Sequence, residues 1–311
     1  MKCTRCRAKA AVALPRHNAG FCPECFLVFF SRQVEKAIKD KKLFTNQDRI
    51  LVALSGGKDS LALARELQNM EYDVTGLHID LAIPESSERA RGHVIRFCRD
   101  YQIPLHVIEL EREDLPIPKL KKFSKRPVCS VCGQIKRYYF NRFALENSFS
   151  VLATGHNLDD EAARLFSNVF RWDTAHLGDQ GPLLPAEQGF VRKVKPLYRL
   201  SEFETANYSF LSRIDYSFTP CPYSKGASFT FYKKILDELE HHQPGRKISF
   251  YEGFLNRARN AFARLDQEQG KEPAPCSCCG YPTTTGICGV CRIRKTISSR
   301  TTASQPTFSR T

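Results

Sequence analysis

No apolar run approaches the roughly 20 residues of a membrane-spanning helix, and the longest one, around residues 26–30, is far too short. The stretch Met1-Lys2-Cys3-Thr4-Arg5-Cys6 also lacks the apolar segment of a secretory leader. These two absences predict a cytoplasmic protein with no membrane partner. Acidic residues are in deficit: 33 Asp and Glu stand against 47 Lys and Arg, giving a formal net charge of +14. Such a surplus favours a polyanionic partner, nucleic acid first, although an inert basic surface satisfies the same count. No single-sign run is long, and the densest basic stretch is 119–126. No convincing long repeat stands out beyond two clusters of cysteine. An odd count of 13 cysteines argues against a closed disulfide framework, and paired Cys-x-x-Cys units in a non-secreted chain point to metal.

The cysteines mark out the organisation. Four fall within 3–25, five within 276–291, and Cys98, Cys129, Cys132 and Cys221 lie between. The middle alternates short β-branched apolar runs with segments of helical period. Strands are predicted at 49–54, 74–79, 105–110 and 151–155, with a further one at 193–198. Helices are predicted at 27–43, 59–70, 85–101, 132–146, 159–170, 202–213, 228–240 and 250–266. Val94, Ile95 and Phe97 are expected to face inward, and Cys98 is expected to be a buried core residue. Residues 111–127 and 173–190 are rich in Pro, Gly or Lys and are predicted as a linker and an exposed, mobile loop. Strands alternating with helices imply a doubly wound parallel sheet, with its ligand at the carboxyl ends of the strands. The predicted domains are a zinc ribbon at 1–26, a catalytic α/β domain at 27–220, a helical extension at 221–270, a second ribbon at 271–297, and a disordered tail at 298–311.

Ala53-Leu54-Ser55-Gly56-Gly57-Lys58-Asp59-Ser60 ends a predicted strand and opens a helix. Glycines let the backbone turn sharply, and the free N–H groups of the turn face an anion. Lys58 adds a point charge and Ser60 a hydroxyl. The Gly-x-x-x-x-Gly-Lys spacing of a Walker A loop is absent. Cys3-x-x-Cys6 and Cys22-x-x-Cys25 are separated by fifteen residues, a four-cysteine zinc pattern. At the far end Cys276, Cys279, Cys288 and Cys291 form the second set, with Cys278 able to replace Cys276. Each ribbon is basic, through Lys2, Arg5, Arg7 and Lys9 in one and Arg292, Arg294 and Lys295 in the other, which suits a flap that grips RNA. Cys129-x-x-Cys132 with a distant Cys221 offers three thiolates. On spacing alone an iron–sulfur cluster, a third zinc completed by His156, and a redox pair are equally open.

The Ser-Gly-Gly-x-Asp-Ser loop resembles the pyrophosphatase-loop ATPases, which attach AMP to a substrate oxygen. The resemblance implies that this loop holds the phosphates of ATP. Leu77-His78-Ile79-Asp80 and Ala153-Thr154-Gly155-His156-Asn157-Leu158-Asp159-Asp160 are similar to the segments that frame adenine and ribose, with Ile79 and Gly155 as backbone contacts. Asp160 matches a catalytic aspartate that holds Mg2+ or orients the reacting groups; helix capping accounts for Asp159 and Asp160 equally well. Pro-x-Cys-x-x-Cys with a later Pro-Cys resembles the tRNA 2-thiolation enzymes of the TtuA/TtcA group, and the two ribbons resemble its TtuA branch. That resemblance implies a 4Fe-4S cluster on Cys129, Cys132 and Cys221, a catalytic Lys136, and two structural Zn2+ ions. It further implies adenylation of a uridine O2, then sulfur transfer through the cluster, with sulfide or a ubiquitin-like thiocarboxylate carrier protein as donor. A homodimer is implied as well. Two other functions compete: nitrogen or amine transfer to RNA on the same loop, which has no need of the three central cysteines, and RNA binding without catalysis.

Overall fold

The computed structural model describes residues 1–124, 126–224, 228–269 and 272–303. An antiparallel hairpin, β1 (Val12–Leu14) and β2 (Ala19–Phe21), leads into α1 (Pro23–Lys41). Pro23 suits the first turn, where its missing N–H costs nothing, and Phe30, Val34, Ala37 and Ile38 form the buried face.

The central sheet contains β3 (Ile50–Leu54), β4 (Val74–Asp80), β5 (Leu105–Glu109), β6 (Val151–Thr154), β7 (Leu183–Leu184) and β8 (Arg192–Val194), in the order β5-β4-β3-β6-β8-β7. All pairs are parallel except β7 with β8. β3 is buried on both faces: Ile50, Val52 and Leu54 join one core cluster, and Leu51 joins another with Leu77 and Leu152. Burial on both faces is why this run is continuously apolar rather than alternating. The chain runs outward from β3 to β4 and β5, then returns to β6 on the other side of β3. The carboxyl ends of β3 and β6 therefore flank the point where strand order reverses, which is where open α/β sheets bind ligands.

The helices are α2 (Lys58–Asn69), α3 (Ser86–Asp100), α4 (Ile117–Phe123), α5 (Val128–Glu146), α6 (Leu158–Arg171), α7 (Thr174–Gly178), α8 (Glu202–Leu211), α9 (Ser228–His242), α10 (Arg246–Arg257) and α11 (Arg259–Gln269). A second ribbon pairs β9 (Ala274–Pro275) with β10 (Pro282–Thr283) and runs into α12 (Gly289–Ala303).

Several expectations need correction. The supposed linker at 111–127 contains α4, because Pro118 falls in the first turn, where it is tolerated, and Ile117 and Leu120 are buried. The loop at 173–190 holds α7 and β7, and α7 packs on α11 so closely that a Cβ on Gly178 would lie 3.0 Å from the Ala263 Cα. The single helix expected at 250–266 breaks at Ala258 into α10 and α11. Ile95 is exposed rather than inward. The chain is helical, not disordered, through Ala303; residues 304–311 lie outside the described residues.

Candidate active site and metal centres

The phosphate loop is folded by its own hydroxyls. The Ser55 N–H donates to Ser60 Oγ at 3.1 Å, Ser60 Oγ donates to the Gly57 carbonyl at 3.0 Å, and the Gly57 N–H donates to Ser55 Oγ at 3.3 Å. Gly56 has φ of +81°, and a Cβ there would lie 2.8 Å from the Ala90 carbonyl oxygen, so only glycine fits. Gly155, just past the end of β6, lies directly against the start of α2: its Cβ would lie 2.7 Å from the Ser60 nitrogen. On the other side, β3 stops opposite His78, so Ile79 extends beyond its neighbour. His78 donates from Nδ1 to the Leu54 carbonyl at 2.8 Å and clamps the strand end that launches the loop. Burial lowers the His78 pKa, which keeps the ring neutral.

Above the loop lies a chain of alternating charge. Lys58 Nζ donates to Asp59 at 3.0 Å and to Glu202 at 2.8 Å. Lys233 bridges Glu202 at 3.2 Å and Asp160 at 2.6 Å. Burial alone would raise Glu202, yet Lys58 and Lys233 overcome it and bring the carboxyl down to about 2. At Asp160 burial prevails over Lys233 and the carboxyl is raised. Asp59 also accepts hydrogen bonds from Asn157 at 3.1 Å and from Thr205.

The two adjacent aspartates divide their roles. Asp159 faces inward, accepting from the Glu202 N–H at 2.6 Å and pairing with Lys247. Asp160 closes a capping box with Asn157 and still turns a carboxylate oxygen toward Lys233. Sequence reasoning missed Lys233, Glu202, Thr205 and Asn157. Asn157, three residues before Asp160 at a helix start, carried a capping-box signal; the others arrive from distant segments and left none.

The terminal cysteines form two compact groups. Within each of the sets Cys3, Cys6, Cys22, Cys25 and Cys276, Cys279, Cys288, Cys291, the sulfurs lie within 4.8 Å of one another. The Cys6–Cys22 and Cys279–Cys288 sulfurs are 3.6 and 3.7 Å apart. A tetrahedron with metal–sulfur bonds of about 2.3 Å has edges of about 3.8 Å, so both sets fit zinc. Cys276 Sγ accepts N–H bonds from Cys288 at 3.1 Å and Cys278 at 3.4 Å. Led by Cys288, these donors bring its pKa to about 6, which favours the thiolate that a metal needs. Cys278 is exposed and outside the group. Cys98 is buried, and burial pushes its thiol up to about 12, as an inert core residue requires.

Cys129 and Cys132 occupy the first turns of α5, and Cys129 Sγ donates to the Tyr223 carbonyl at 3.3 Å, next to the segment that carries Cys221. Cys132, Cys221 and Tyr223 pack on one apolar cluster. Burial raises the Cys132 pKa, Lys136 opposes it, and Cys221 and Cys129 add to it, so the three thiols and Lys136 share one space. Among the described residues they do not form a group with all sulfurs within 4.8 Å of one another, as the ribbon cysteines do, and His156 joins no such group. A donor set of three spread thiols with no fourth cysteine fits a cluster with one open iron.

Residues 27–220 match the PP-loop domain family, and residues 2–27 match the N-terminal LIM domain of 2-thiouridine synthetase TtuA. The tRNA-5-methyluridine(54) 2-sulfurtransferase of Thermus thermophilus is 42% identical over 94% of this chain and 91% of its own length. The enzyme of the same name from Thermotoga maritima is 39% identical over 96% and 98%. The U34-tRNA thiolase NcsA from Methanococcus maripaludis, solved with its [4Fe-4S] cluster, superposes with a TM-score of 0.77 at 27% identity, covering 95% of this chain and 96% of that one. With the phosphate loop at the sheet's switch point and the cysteine groups in place, these likenesses put the chain in the pyrophosphatase-loop family, among its TtuA-like tRNA 2-sulfurtransferases.

Proposed function

We propose that this protein uses ATP to replace the O2 of a tRNA uridine with sulfur. The observation that carries this reading is the position of Lys136. Its charge acts both on Cys132 and on His156 just past β6, so this lysine is near both the cysteine trio and the ATP side of the site.

In this reading the N–H groups of Gly57 and Lys58 and the Lys58 ammonium hold the phosphates of ATP, while the backbone of Ile79 and Gly155 frames its adenosine. Asp59 and Asp160 supply the carboxylates for Mg2+, with Lys233 and Lys58 poised to turn from Glu202 onto pyrophosphate. The uridine O2 attacks the α-phosphorus and pyrophosphate leaves. A sulfur nucleophile then attacks C2, and AMP departs with the former O2. Lys136 steadies the negative charge that develops at this centre. Cys129, Cys132 and Cys221 would hold a 4Fe-4S cluster, which would supply a place for sulfide-level sulfur beside the activated base. The terminal groups hold structural Zn2+. The donor is sulfide or a ubiquitin-like thiocarboxylate carrier protein. Position 54 is the preferred target, because identity is 38–42% to enzymes named for it and 27% to the U34 thiolase. A homodimer has apolar surface to use in Phe170 and Phe231, 66% and 62% exposed; these flank the packed pair Phe166 and Tyr232 on α6 and α9.

An oxygen-tracer experiment tests the chemistry. Substrate tRNA labelled with oxygen-18 at the uridine O2 is incubated anaerobically with protein, ATP, Mg2+ and sulfide. The label should appear in the phosphate of AMP, in step with thiolation. Label released into water, with unlabelled AMP, would overturn adenylation of O2.

A further inference from the structure

A cavity of about 1080 Å³ opens between α5, β8 and the second ribbon. Its lining includes Arg137, Tyr138, Phe140, Thr154, Lys193 and Tyr281. Thr154 places one wall at the carboxyl end of β6, where its hydroxyl meets His156 Nδ1 at 2.8 Å, three residues before the Asn157–Asp160 capping box. Lys193 and Leu152 are register partners on β8 and β6, so Lys193 sits on the face of the sheet beneath α5. The charges of Arg164 on α6 and Lys136 on α5 act, with that of Lys193, to depress His156.

The cations gathered here differ from those around the phosphate loop. Elsewhere near the site Lys58, Lys195, Lys233 and Lys247 each hold a carboxylate. Among the described residues Lys136, Arg137, Arg164 and Lys193 make no ion pair. Lys193 is half-buried, and burial, followed by Lys195, Arg164 and Arg137, brings its pKa down to about 7. Packing like charges together costs stability, and the one carboxylate that acts on Lys193, Glu161, is already paired with Lys195, so an arriving anion would relieve the repulsion. Glu187 and Glu272 also line the cavity, and neither is within ion-pair distance of these four.

We propose that Lys193 and Arg137, with Arg164 adding its charge from α6, form a phosphate site that seats the backbone of the target nucleotide, while the half-buried rings of Phe140 and Tyr281 receive the displaced bases. This inference rests on the tRNA-thiolation reading and adds to it the place where RNA docks. Aromatic rings beside unpaired cations are the equipment for an unstacked RNA strand. The thiocarboxylate of a carrier protein would pair with the cations but would have no need of the rings.

The test is tRNA affinity, measured by filter binding across a salt series for wild type, Lys193→Gln, Lys193→Arg and Arg137→Gln. Zinc content and the thermal transition verify folding of each variant. Lys193→Gln and Arg137→Gln should each weaken binding by roughly five- to tenfold and lower the slope of log affinity against log salt by about one phosphate contact. Lys193→Arg should restore affinity. Wild-type affinity should fall as pH rises from 6 to 8.5, as Lys193 loses its proton, and the Arg variant should be flat over that range. The groups facing Lys193 are Arg137, Arg164, Lys195 and Glu161, with His156 held neutral by burial, then Lys195 and Lys193. Folded variants that bind tRNA as wild type does would overturn the site, including the case in which they lose only turnover with a protein sulfur donor. A wild-type protein that binds no tRNA would instead sink the functional reading itself.

Discussion

A methyl group added at Gly155 would sit 2.7 Å from the Ser60 nitrogen and 2.8 Å from the Asp59 carbonyl carbon. Both are backbone atoms that cannot turn aside, so β6 or the start of α2 must shift. Gly155→Ala is therefore expected to weaken ATP binding by at least about tenfold, a cost of roughly 1.4 kcal/mol, which titration calorimetry would register. Unchanged affinity would mean that the loop tolerates displacement. At Asp160 the carboxyl is raised by burial and opposed by Lys233. The acidic limb of the turnover profile should follow ionisation of this group. Lys233→Met removes the opposing charge, so the Asp160 pKa rises further and the limb should move to higher pH. A limb that stays in place would show that another group controls it.

At the scale of elements, α8 is the part most dependent on distant chain. It carries Glu202 and Thr205 to the phosphate loop, and its first turn is tied to the N-terminal ribbon. Glu204 is fully buried and accepts from the Ser201 N–H at 2.7 Å, from Arg16 Nε at 3.1 Å, and pairs with His17 at 3.2 Å. Arg16→Met leaves that carboxylate with only His17 and Ser201, so the cost should approach but not exceed the roughly 3–5 kcal/mol of a buried pair that loses one partner. Urea unfolding should register that loss, and ATP affinity should fall with it. Burial alone would raise Glu204, but His17 and Arg16 hold it below its ordinary value. Its contribution is thus present above the unfolded pKa of about 4.3 and is lost as pH falls through the lower, folded value. Stability of the Glu204→Gln variant should depend less on pH over that acidic range. The phosphate loop and the cysteine sets were legible in the sequence because their residues lie close together at spacings set by the ligand. Pairings such as Arg16 with Glu204 or Lys233 with Asp160 join segments far apart and leave no local pattern. α4 was hidden because proline reads as a breaker except in a first turn, and Ile95 because an apolar residue within a helical pattern need not face the core.

For the whole molecule, two ribbons flank one α/β core, and all three share packing. The second ribbon shares an apolar cluster with Val131, Ile135 and Tyr139 of α5, and Arg294 of α12 bonds Tyr139 at 2.8 Å. Removing zinc with a chelator should therefore lower the thermal transition of the entire chain rather than unfold the ribbons alone; calorimetry separates the two. A surplus of +14 charges predicts tRNA affinity whose logarithm falls linearly as log salt rises. The parallel order of the core was readable because strands buried on both faces are continuously apolar, whereas the two-residue antiparallel β7 is too short to carry a period. The account stands or falls on one assay. Protein purified without oxygen is incubated with ATP, Mg2+, sulfide and tRNA bearing 5-methyluridine at position 54, and the nucleosides are weighed by mass spectrometry. A thiolated uridine that requires ATP, maps to the T-loop and disappears in Cys129→Ala is the predicted result. ATP consumed with no thiolated nucleoside, from protein with its cluster loaded, would contradict it.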